Sequence, residues 1–547
     1  MDSADRLCSR ILRTLWRHSP VNATYLGVHD YDSILASFDP ATLDSQASEL
    51  RDHLREIAAM CEARPGPSDD ERLDLDLLSR ELKTLVRTHE EVRAPFRNPG
   101  NYLEESAFGV YLLMLREFAS AEDRAAAMVS RLREVPRLLE EARRNLSTPE
   151  EVPPIWAEMA RDLGASTSLF MEEAVEWTRR VAPRRAGDVE AASRSAQEAV
   201  TSYLRFLEAS VQPRARGNFS LGRDLFEFLL RESHGIQESV EVLERFGRAE
   251  AESTLLRLGE MAREGTGKPW QEQVESFQQD TPPPERLVIA YAEEIARCRQ
   301  FTRDRELLDL PPGEFLEVVE TPVFERKTTP FAAYVPPAPF EERQQGYFWV
   351  TPPDPSLSEE ERAHHMKEHM LPSIPITCIH EGYPGHHVQL TLANRNASPV
   401  RRQIWTPVMV EGWALYCEEM MGEEGFYGDP RTSLLQLKDY LWRSCRVFID
   451  VGLHTGSLTF EEAVRVLVDI VRINPQSATG EVKRYTKTPT QPLSYAVGKR
   501  EIMRLREEVR RREGSAFSLK GFHHRLLQFG SIPPRLVAER ILPSTQA

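Results

Sequence analysis

The sequence predicts a mostly α-helical protein with one small β-sheet. Residues 1 to about 310 are rich in Leu, Ala, Glu and Arg, and their apolar residues recur three or four positions apart, as on one face of a helix. From about 311 to 355 this periodicity stops, and prolines separate short runs of β-branched and aromatic residues. Helical periodicity resumes at Ser358 and continues to the end of the chain.

The same patterns place individual elements. We expect helices where the apolar period is clearest, at 71–92, 121–146, 188–211 and 239–263. We expect short strands at 317–324, 331–335 and 346–351. Thr406 followed by Pro407 predicts the cap and first turn of a further helix. The chain then divides into a helical region 1–310, a sheet region 311–355 and a second helical region 356–547.

Composition narrows the classes of function. The net charge is −16, which argues against a basic face for nucleic acid or anionic lipid, and no apolar run is long enough to cross a membrane. The N-terminus lacks the apolar core of a signal peptide. None of the cysteines forms a CxxC pair, so reduced thiols and a cytoplasmic location are expected. They are Cys8, Cys61, Cys298, Cys378, Cys417 and Cys445.

The strongest chemical signal is the segment 380–387, His-Glu-Gly-Tyr-Pro-Gly-His-His. Zinc hydrolases often carry HExxH on a helix, where two histidines on one face bind the metal. Here the position of the second histidine is Pro384, and the next histidines are His386 and His387. We expect the Pro-Gly pair to form a bulge that brings a later histidine beside His380. A small residue often precedes the second ligand, which favours His386, with His387 as the alternative.

A third ligand is expected from another helix. Glu411 is the first candidate, because Gly412 and Ala414 are small and would let its helix pack close to the metal helix. Glu418 and Glu419 are alternatives, and Glu419 could also orient a ligand histidine.

Other histidine clusters have a simpler interpretation. His364, His365 and His369 lie among Glu and Lys, which predicts a solvent-exposed helix face, and the same is expected of His523 and His524. The segment 380–387 differs because an apolar run precedes it, so it is expected to enter the protein interior.

The chain resembles the bacterial family called domain of unknown function 885. Members share a His-Glu-x-x-Pro-Gly-His-His motif and a later Glu-Gly-Trp-Ala motif, found here at 380–387 and 411–414. Further matching segments occur along nearly the whole chain, at 20–32, Arg446, 450–454 and 494–499.

That family is itself similar to helical zinc peptidases such as thimet oligopeptidase, carboxypeptidase Taq and angiotensin-converting enzyme. The resemblance implies a gluzincin-like metallopeptidase architecture, with two helical walls around a deep cleft and a small substrate-aligning sheet. It implies that His380, His386 and Glu411 bind one Zn²⁺, and that Glu381 beside the first ligand is the general base.

Supporting roles follow from the chemistry of peptide hydrolysis. A developing oxyanion needs a donor besides the metal. Tyr495 is the first choice, because the related peptidases use a tyrosine from a late helix, and the alternative is a core aromatic. His454 is a second candidate donor to the oxyanion. The candidate substrate-binding residues are Arg443, Arg446, Tyr485 and Tyr347.

Tyr485 and the two arginines have alternative roles that the sequence leaves open. Tyr485 is a further possible donor. The two arginines could hold a substrate carboxylate or pair with a local acid. The strand at 346–350 could align a peptide by backbone pairing.

The expected function is therefore that of a zinc-dependent metallopeptidase that cleaves short peptides with a metal-activated water. One alternative is a zinc hydrolase of a non-peptide amide or ester. Another is a non-catalytic helical binding protein with a structural zinc, which would have no use for the base Glu381. No nucleic acid or membrane partner is expected.

Overall fold

The computed structural model describes residues 3–63, 66–322, 326, 329 and 331–542. Helices dominate these residues and one three-stranded sheet accompanies them, which confirms the predicted mostly α fold. The chain forms two compact units, Met1–Phe219 with Ala338–Glu341, and Ser220–Pro337 with Glu342–Ala547. The helical region expected at 1–310 thus extends from the first unit into the second.

All regular secondary structure in the described part of the first unit is helical, and a buried arginine lies in its interior. Arg131 is fully buried and donates hydrogen bonds to the carbonyls of Ile34 (3.1 Å) and Gly109 (2.6 Å) and to the hydroxyl of Thr24 (2.6 Å). The helices of the first unit are α1 (Ala4–His18), α2 (Pro20–Leu26), α3 (Pro40–Glu62), α4 (Asp69–Glu91), α5 (Ala94–Arg97), α6 (Gly100–Leu115), α7 (Ala121–Asn145), α8 (Pro154–Val181) and α9 (Ala186–Phe206).

The second unit holds the sheet and the residues singled out for chemistry. No helix in the described part of the chain is both long enough and apolar enough to cross a membrane. The helices of this unit are α10 (Arg223–His234), α11 (Val240–Gly265), α12 (Trp270–Phe277), α13 (Leu287–Asp304), α14 (Glu359–Met366), α15 (Ile374–Glu381), α16 (His386–Ala393), α17 (Pro399–Gln403), α18 (Pro407–Glu423), α19 (Pro430–Thr455), α20 (Phe460–Val466), α21 (Pro475–Lys487), α22 (Ser494–Glu513), α23 (Leu519–Leu527) and α24 (Pro534–Ile541).

The sheet has the strand order β1-β3-β2. Strand β1 (Phe315–Glu320) runs parallel to β3 (Gln345–Val350), and β2 (Ala332–Val335) runs antiparallel to it. The predicted strands overlap all three, although the first was expected to reach residue 324, and residues 323 and 324 lie outside the described part.

The position of β3 overturns one expectation. Because β3 is paired on both sides, its backbone groups are not available for a peptide, and the prediction that 346–350 aligns one by backbone pairing is wrong. Tyr347 lies in this central strand, opposite Glu317 on one side and Val335 on the other. Only β1 and β2 have an outer edge within the described sheet.

Two glycines bring helices α18 and α22 together. A methyl group built on Gly498 would lie 1.9 Å from the carbonyl oxygen of Val408, and one on Gly412 would lie 2.5 Å from Cα of Gly498. The two backbones therefore touch directly. Gly412 was expected to face the metal helix, but it faces α22 instead. Around this contact lies a core formed by Phe226, Leu230, Ile236, Val240, Leu243, Val408, Leu415, Tyr440, Val447, Val451, Leu493, Ala496 and Val497.

Two histidines that were expected on the surface are fully buried. His369 bonds the hydroxyl of Tyr291 at 3.1 Å, and His523 bonds the carbonyl of Leu307 at 2.7 Å and the hydroxyl of Tyr416 at 2.8 Å. Burial lowers the pKa of both imidazoles to about 4, so both are neutral at pH 7. The charged residues next to both histidines in the sequence led to the prediction of exposed side chains, although these two side chains point into the protein interior.

We predict that Gly498→Ala destabilises the protein, because its methyl group cannot fit against the backbone of α18. Overpacking of this kind typically costs about 1–3 kcal/mol. Gly480→Ala in α21 is the matched control, since a methyl group there meets nothing within 4 Å and alanine favours the helix. Urea denaturation of both variants measures the difference. An unchanged midpoint for Gly498→Ala would show that the two helices can separate freely.

Candidate metal centre

The motif 380–387 lies on two short helices rather than on one. Helix α15 ends at Glu381 and α16 begins at His386, so the structure has a break where a bulge was expected. Gly385 donates its N–H to the carbonyl of Ile379 at 3.1 Å, and a methyl group on it would lie 2.1 Å from the carbonyl oxygen of His380. Trp413 of α18 donates its indole N–H to a carbonyl within the break. This close approach requires glycine and brings the start of α16 back toward the end of α15.

The break places His380 and His386 side by side. Their rings are nearly perpendicular, with centroids 4.7 Å apart, and both are more than nine-tenths buried. Oε2 of Glu411 lies 3.6 Å from Nε2 of His380 and 3.4 Å from Nε2 of His386. Three ligand atoms about 2.0–2.1 Å from a tetrahedral zinc would be separated by about 3.4 Å, so this donor set fits the ion.

A second carboxylate also reaches the histidine pair. One ligand atom each of His380, Glu381 and His386 lies within 4.8 Å of the others. The separations of Glu411 from both imidazole nitrogens, 3.6 and 3.4 Å, match those expected between ligands of one zinc ion, which makes Glu411 the candidate third ligand. Glu381 is only partly buried and remains beside the cluster, where a base for a water molecule is needed.

The carboxylate that orients His380 is Glu418. It is fully buried, and its Oε1 lies 2.7 Å from Nδ1 of His380, which leaves Nε2 to face Glu411. Carboxylates in this position hold a ligand histidine in one tautomer and orientation. Glu419, the expected orienting residue, instead pairs with Lys499 of α22.

His387 is engaged away from the candidate ligands. Its Nε2 lies 3.0 Å from Oε2 of the buried Glu314, and its Nδ1 lies 3.2 Å from the hydroxyl of Tyr334 in β2. Glu314 also accepts hydrogen bonds from Tyr383 at 2.5 Å and Arg299 at 2.9 Å. Both ring nitrogens of His387 thus have protein partners. Sequence reasoning missed Glu314, which lies in no motif.

Opposite charges dominate the electrostatics of the cluster. Burial alone would lower the pKa of His380, but hydrogen bonds with Glu411 and Glu418 raise it to about 10. Burial alone would raise the pKa of Glu411, but hydrogen bonds with His380 and His386 hold it well below its usual range. Glu411 is therefore ionised at pH 7, and its mostly buried negative charge favours a cation between the imidazoles.

Tyr495 lies next to this cluster. Its ring is stacked at 6.4 Å from that of His380, and its hydroxyl lies 3.3 Å from Nε2 of Gln491. The same amide nitrogen of Gln491 lies 3.5 Å from Oε1 of Glu411. Burial and the Glu411 carboxylate raise the pKa of Tyr495 to about 12, so its hydroxyl keeps its proton at pH 7. Gln491 has no motif signal in the sequence.

A buried network holds the loop before α22. His234 lies 2.7 Å from the hydroxyl of Thr406, the N-cap of α18, and 2.8 Å from the hydroxyl of Thr490 in the loop. Asp450 accepts the backbone N–H groups of Thr490 and Leu493, each at 3.2 Å. Burial lowers the pKa of His234 to about 4, so a neutral imidazole joins the ligand-bearing helix to the loop.

Two predicted site residues are part of the interior. His454 is fully buried at the end of α19, where its Nε2 bonds the carbonyl of Tyr485 at 3.0 Å and its ring lies 5.8 Å from that of Phe226. Tyr485 is also fully buried, and its hydroxyl accepts hydrogen bonds from Arg446 at 2.8 Å and Trp442 at 3.3 Å. Neither side chain is placed to touch a substrate in this structure.

Comparison with known proteins identifies relatives without an assigned activity. A family model described as "Bacterial protein of unknown function (DUF885)" matches residues 20–541. No curated protein matches the chain.

Two solved structures share the fold. One, described as "a putative lipoprotein of unknown function" from Shewanella oneidensis, is 24% identical, with a TM-score of 0.83 over 99% of this chain and 100% of that chain. The "putative lipoprotein" from Colwellia psychrerythraea is 20% identical, with a TM-score of 0.84 over 98% of each chain. Both descriptions are of those proteins, and the cytoplasmic location of this chain stays a prediction.

We predict that the two adjacent histidines differ in their effect on zinc content. His386→Ala removes a nitrogen that faces Glu411 and should lower the bound zinc of the purified protein. His387→Ala should keep the zinc, because both ring nitrogens of His387 already bond protein groups. Plasma mass spectrometry measures the metal, and circular dichroism checks that both variants are folded. The reverse pattern would assign the second ligand to His387.

Proposed function

The chain belongs to the bacterial family of unknown function DUF885. From its candidate metal centre we propose that the protein is a zinc-dependent hydrolase, and specifically a peptidase that cleaves short peptides. One observation carries the proposal. His380, His386 and Glu411 converge with nitrogen–oxygen separations that suit tetrahedral zinc, and a further carboxylate, Glu381, lies beside them.

The number of candidate ligands supports a catalytic rather than a structural zinc. Structural zinc sites are usually closed by four protein ligands, whereas catalytic sites combine three with an open position for water or substrate. Here two imidazoles and one carboxylate supply three candidate ligands. Glu418 is not counted among them, because it bonds Nδ1 of His380, the ring nitrogen that does not face Glu411. The second carboxylate, Glu381, then has a chemical use as a base.

The proposed reaction assigns proton transfer to Glu381. Zinc held by the three ligands would supply a Lewis acid that lowers the pKa of a water and polarises the substrate carbonyl. Glu381 accepts the proton of the attacking water while the new carbon–oxygen bond forms. The same carboxyl group then donates this proton to the leaving nitrogen as the carbon–nitrogen bond breaks.

Tyr495 is the proposed donor to the developing oxyanion. Its raised pKa keeps the hydroxyl protonated, and its ring lies beside the ligand His380. Gln491 bonds both Tyr495 and Glu411, so it fixes the hydroxyl relative to the metal ligands. Donors that are oriented before the reaction stabilise the transition state without reorganisation.

We predict that Glu381→Gln keeps zinc and stability but abolishes turnover. The substitution preserves size and removes only the base, and such proton transfers contribute about 10²–10⁴ in rate. Hydrolysis of a random peptide pool, followed by mass spectrometry, compares the variant with wild type at equal zinc content. Equal rates would contradict the mechanism and leave a structural zinc as the explanation of the cluster.

We also predict that Tyr495→Phe lowers kcat while KM and the zinc content hardly change. Loss of one oxyanion donor typically costs about 10²–10³ in kcat. Tyr427→Phe offers a control, because it removes a partly buried hydroxyl that, among the described residues, bonds only the backbone carbonyl of Glu418. If the two variants lose equally little activity, Tyr495 is a packing residue.

A further inference from the structure

We propose that Arg443 binds a carboxylate of the substrate near the bond that is cleaved. This inference rests on the proposed function and concerns the substrate of the same site. The sequence offers Arg443 and Arg446 equally for this role, one turn apart on α19. Their surroundings in the structure separate them.

Arg446 is buried, and protein groups already bind its guanidinium. Its side chain is 6% exposed, its Nε donates to the hydroxyl of Tyr485 at 2.8 Å, and one terminal nitrogen lies 3.1 Å from Glu481. Its guanidinium also lies 4.3 Å from the ring centroid of Trp442 and 4.8 Å from that of Tyr495. A substrate would have to displace these contacts to reach it.

Arg443 is engaged much more weakly. Its side chain is 16% exposed, its ion pair with Asp439 on the preceding turn is long, at 3.6 Å, and its hydrogen bond to the backbone carbonyl of Asp439 is 3.3 Å. Lys438 lies 3.8 Å from the same oxygen of Asp439. Within the described residues, the buried Nε of Arg443 has no hydrogen-bond partner. An unpaired buried donor costs free energy, which a bound acceptor would recover.

A series of ring contacts connects Arg443 with the candidate metal centre. Its guanidinium lies 5.0 Å from the ring centroid of Trp442, the ring that Arg446 also contacts. Three residues of helix advance by about 4.5 Å, so the two arginines are on neighbouring turns of one face. Arg446 lies on the ring of Tyr495, which in turn stacks on His380.

The local charge favours an anion at this position. The guanidinium of Arg446 lies 4.8 Å from the ring centroid of Tyr495, and that of Arg484 lies 5.1 Å from the ring centroid of Tyr485. Glu481 neutralises part of this charge through Arg446 at 3.1 Å and Arg484 at 2.9 Å. An arginine fork beside excess positive charge suits a carboxylate, which can accept two parallel hydrogen bonds.

A peptide has two sources of such a carboxylate, its C-terminus and the side chains of Asp and Glu. The C-terminal group would restrict cleavage to bonds near the end of a chain. An acidic side chain would permit internal cleavage beside Asp or Glu. In both cases a peptide without the carboxylate loses a charge-assisted interaction, which corresponds to about 10- to 100-fold in affinity.

Three pools of N-acetylated tetrapeptides separate these sources. The first has free C-termini and no Asp or Glu, the second has amidated C-termini and no Asp or Glu, and the third has amidated C-termini and one Glu. Binding is measured by calorimetry on zinc-loaded Glu381→Gln protein, which does not need to turn over. Hydrolysis of the same pools is measured with wild-type protein.

We expect the first or the third pool to bind about 10-fold or more tightly than the second, and this preference to vanish when Arg443→Gln is added. Arg443→Lys should keep part of it, because it retains the charge without the fork. Arg465→Gln is the matched control, since Arg465 is 64% exposed with only a 4.0 Å ion pair, and it should change nothing. Circular dichroism confirms that each variant is folded.

Equal binding of the three pools, or a preference that survives both Arg443 substitutions, would overturn the proposal. These results differ from a failure of the proposed hydrolase. Selective binding without hydrolysis by wild type would retain the carboxylate site and reject the peptidase. Hydrolysis of all pools without selection would retain the peptidase and reject the carboxylate site.

Discussion

A carboxylate held between two buried imidazoles is the interaction on which the second unit depends. Glu411 stays ionised because His380 and His386 face it, and the protonated form of His380 is favoured because Glu411 and Glu418 surround it. Neither charge would be stable alone at this depth, since desolvation of an unpaired ion is costly. The break between α15 and α16, the indole of Trp413 and the loop before α22 all serve to maintain this arrangement.

Much of this arrangement could be predicted from the sequence, because it depends on local patterns. Apolar periodicity predicted the helices, and Thr406 with Pro407 predicted the start of α18. The juxtaposition of three histidines, a proline and a glycine in 380–387 predicted a metal site on a helix with a bulge, and the structure has a break between two helices at that place. These patterns can be recognised in a sequence because each depends on only a few consecutive residues.

The partners of the site could not be predicted in the same way. Glu314, Gln491 and His234 bond the site or its supports from distant segments, and no residue type beside them marks that role. The orienting carboxylate was expected one residue too late, at Glu419, because a shift of one position turns a helical side chain by about 100°. Such choices depend on how helices pack, which a single sequence does not record.

The contact between Gly412 and Gly498 has a wider consequence for how such a centre can vary during evolution. Most pairs of helices are spaced by their side chains, so each core substitution moves them slightly. Here the peptide backbones themselves set the spacing between the helix of Glu411 and the helix of Tyr495. The distance from Glu411 to Tyr495, the proposed metal ligand and the proposed oxyanion donor, thereby depends little on the side chains that fill the surrounding core. Those side chains are free to diverge while the chemistry keeps its geometry.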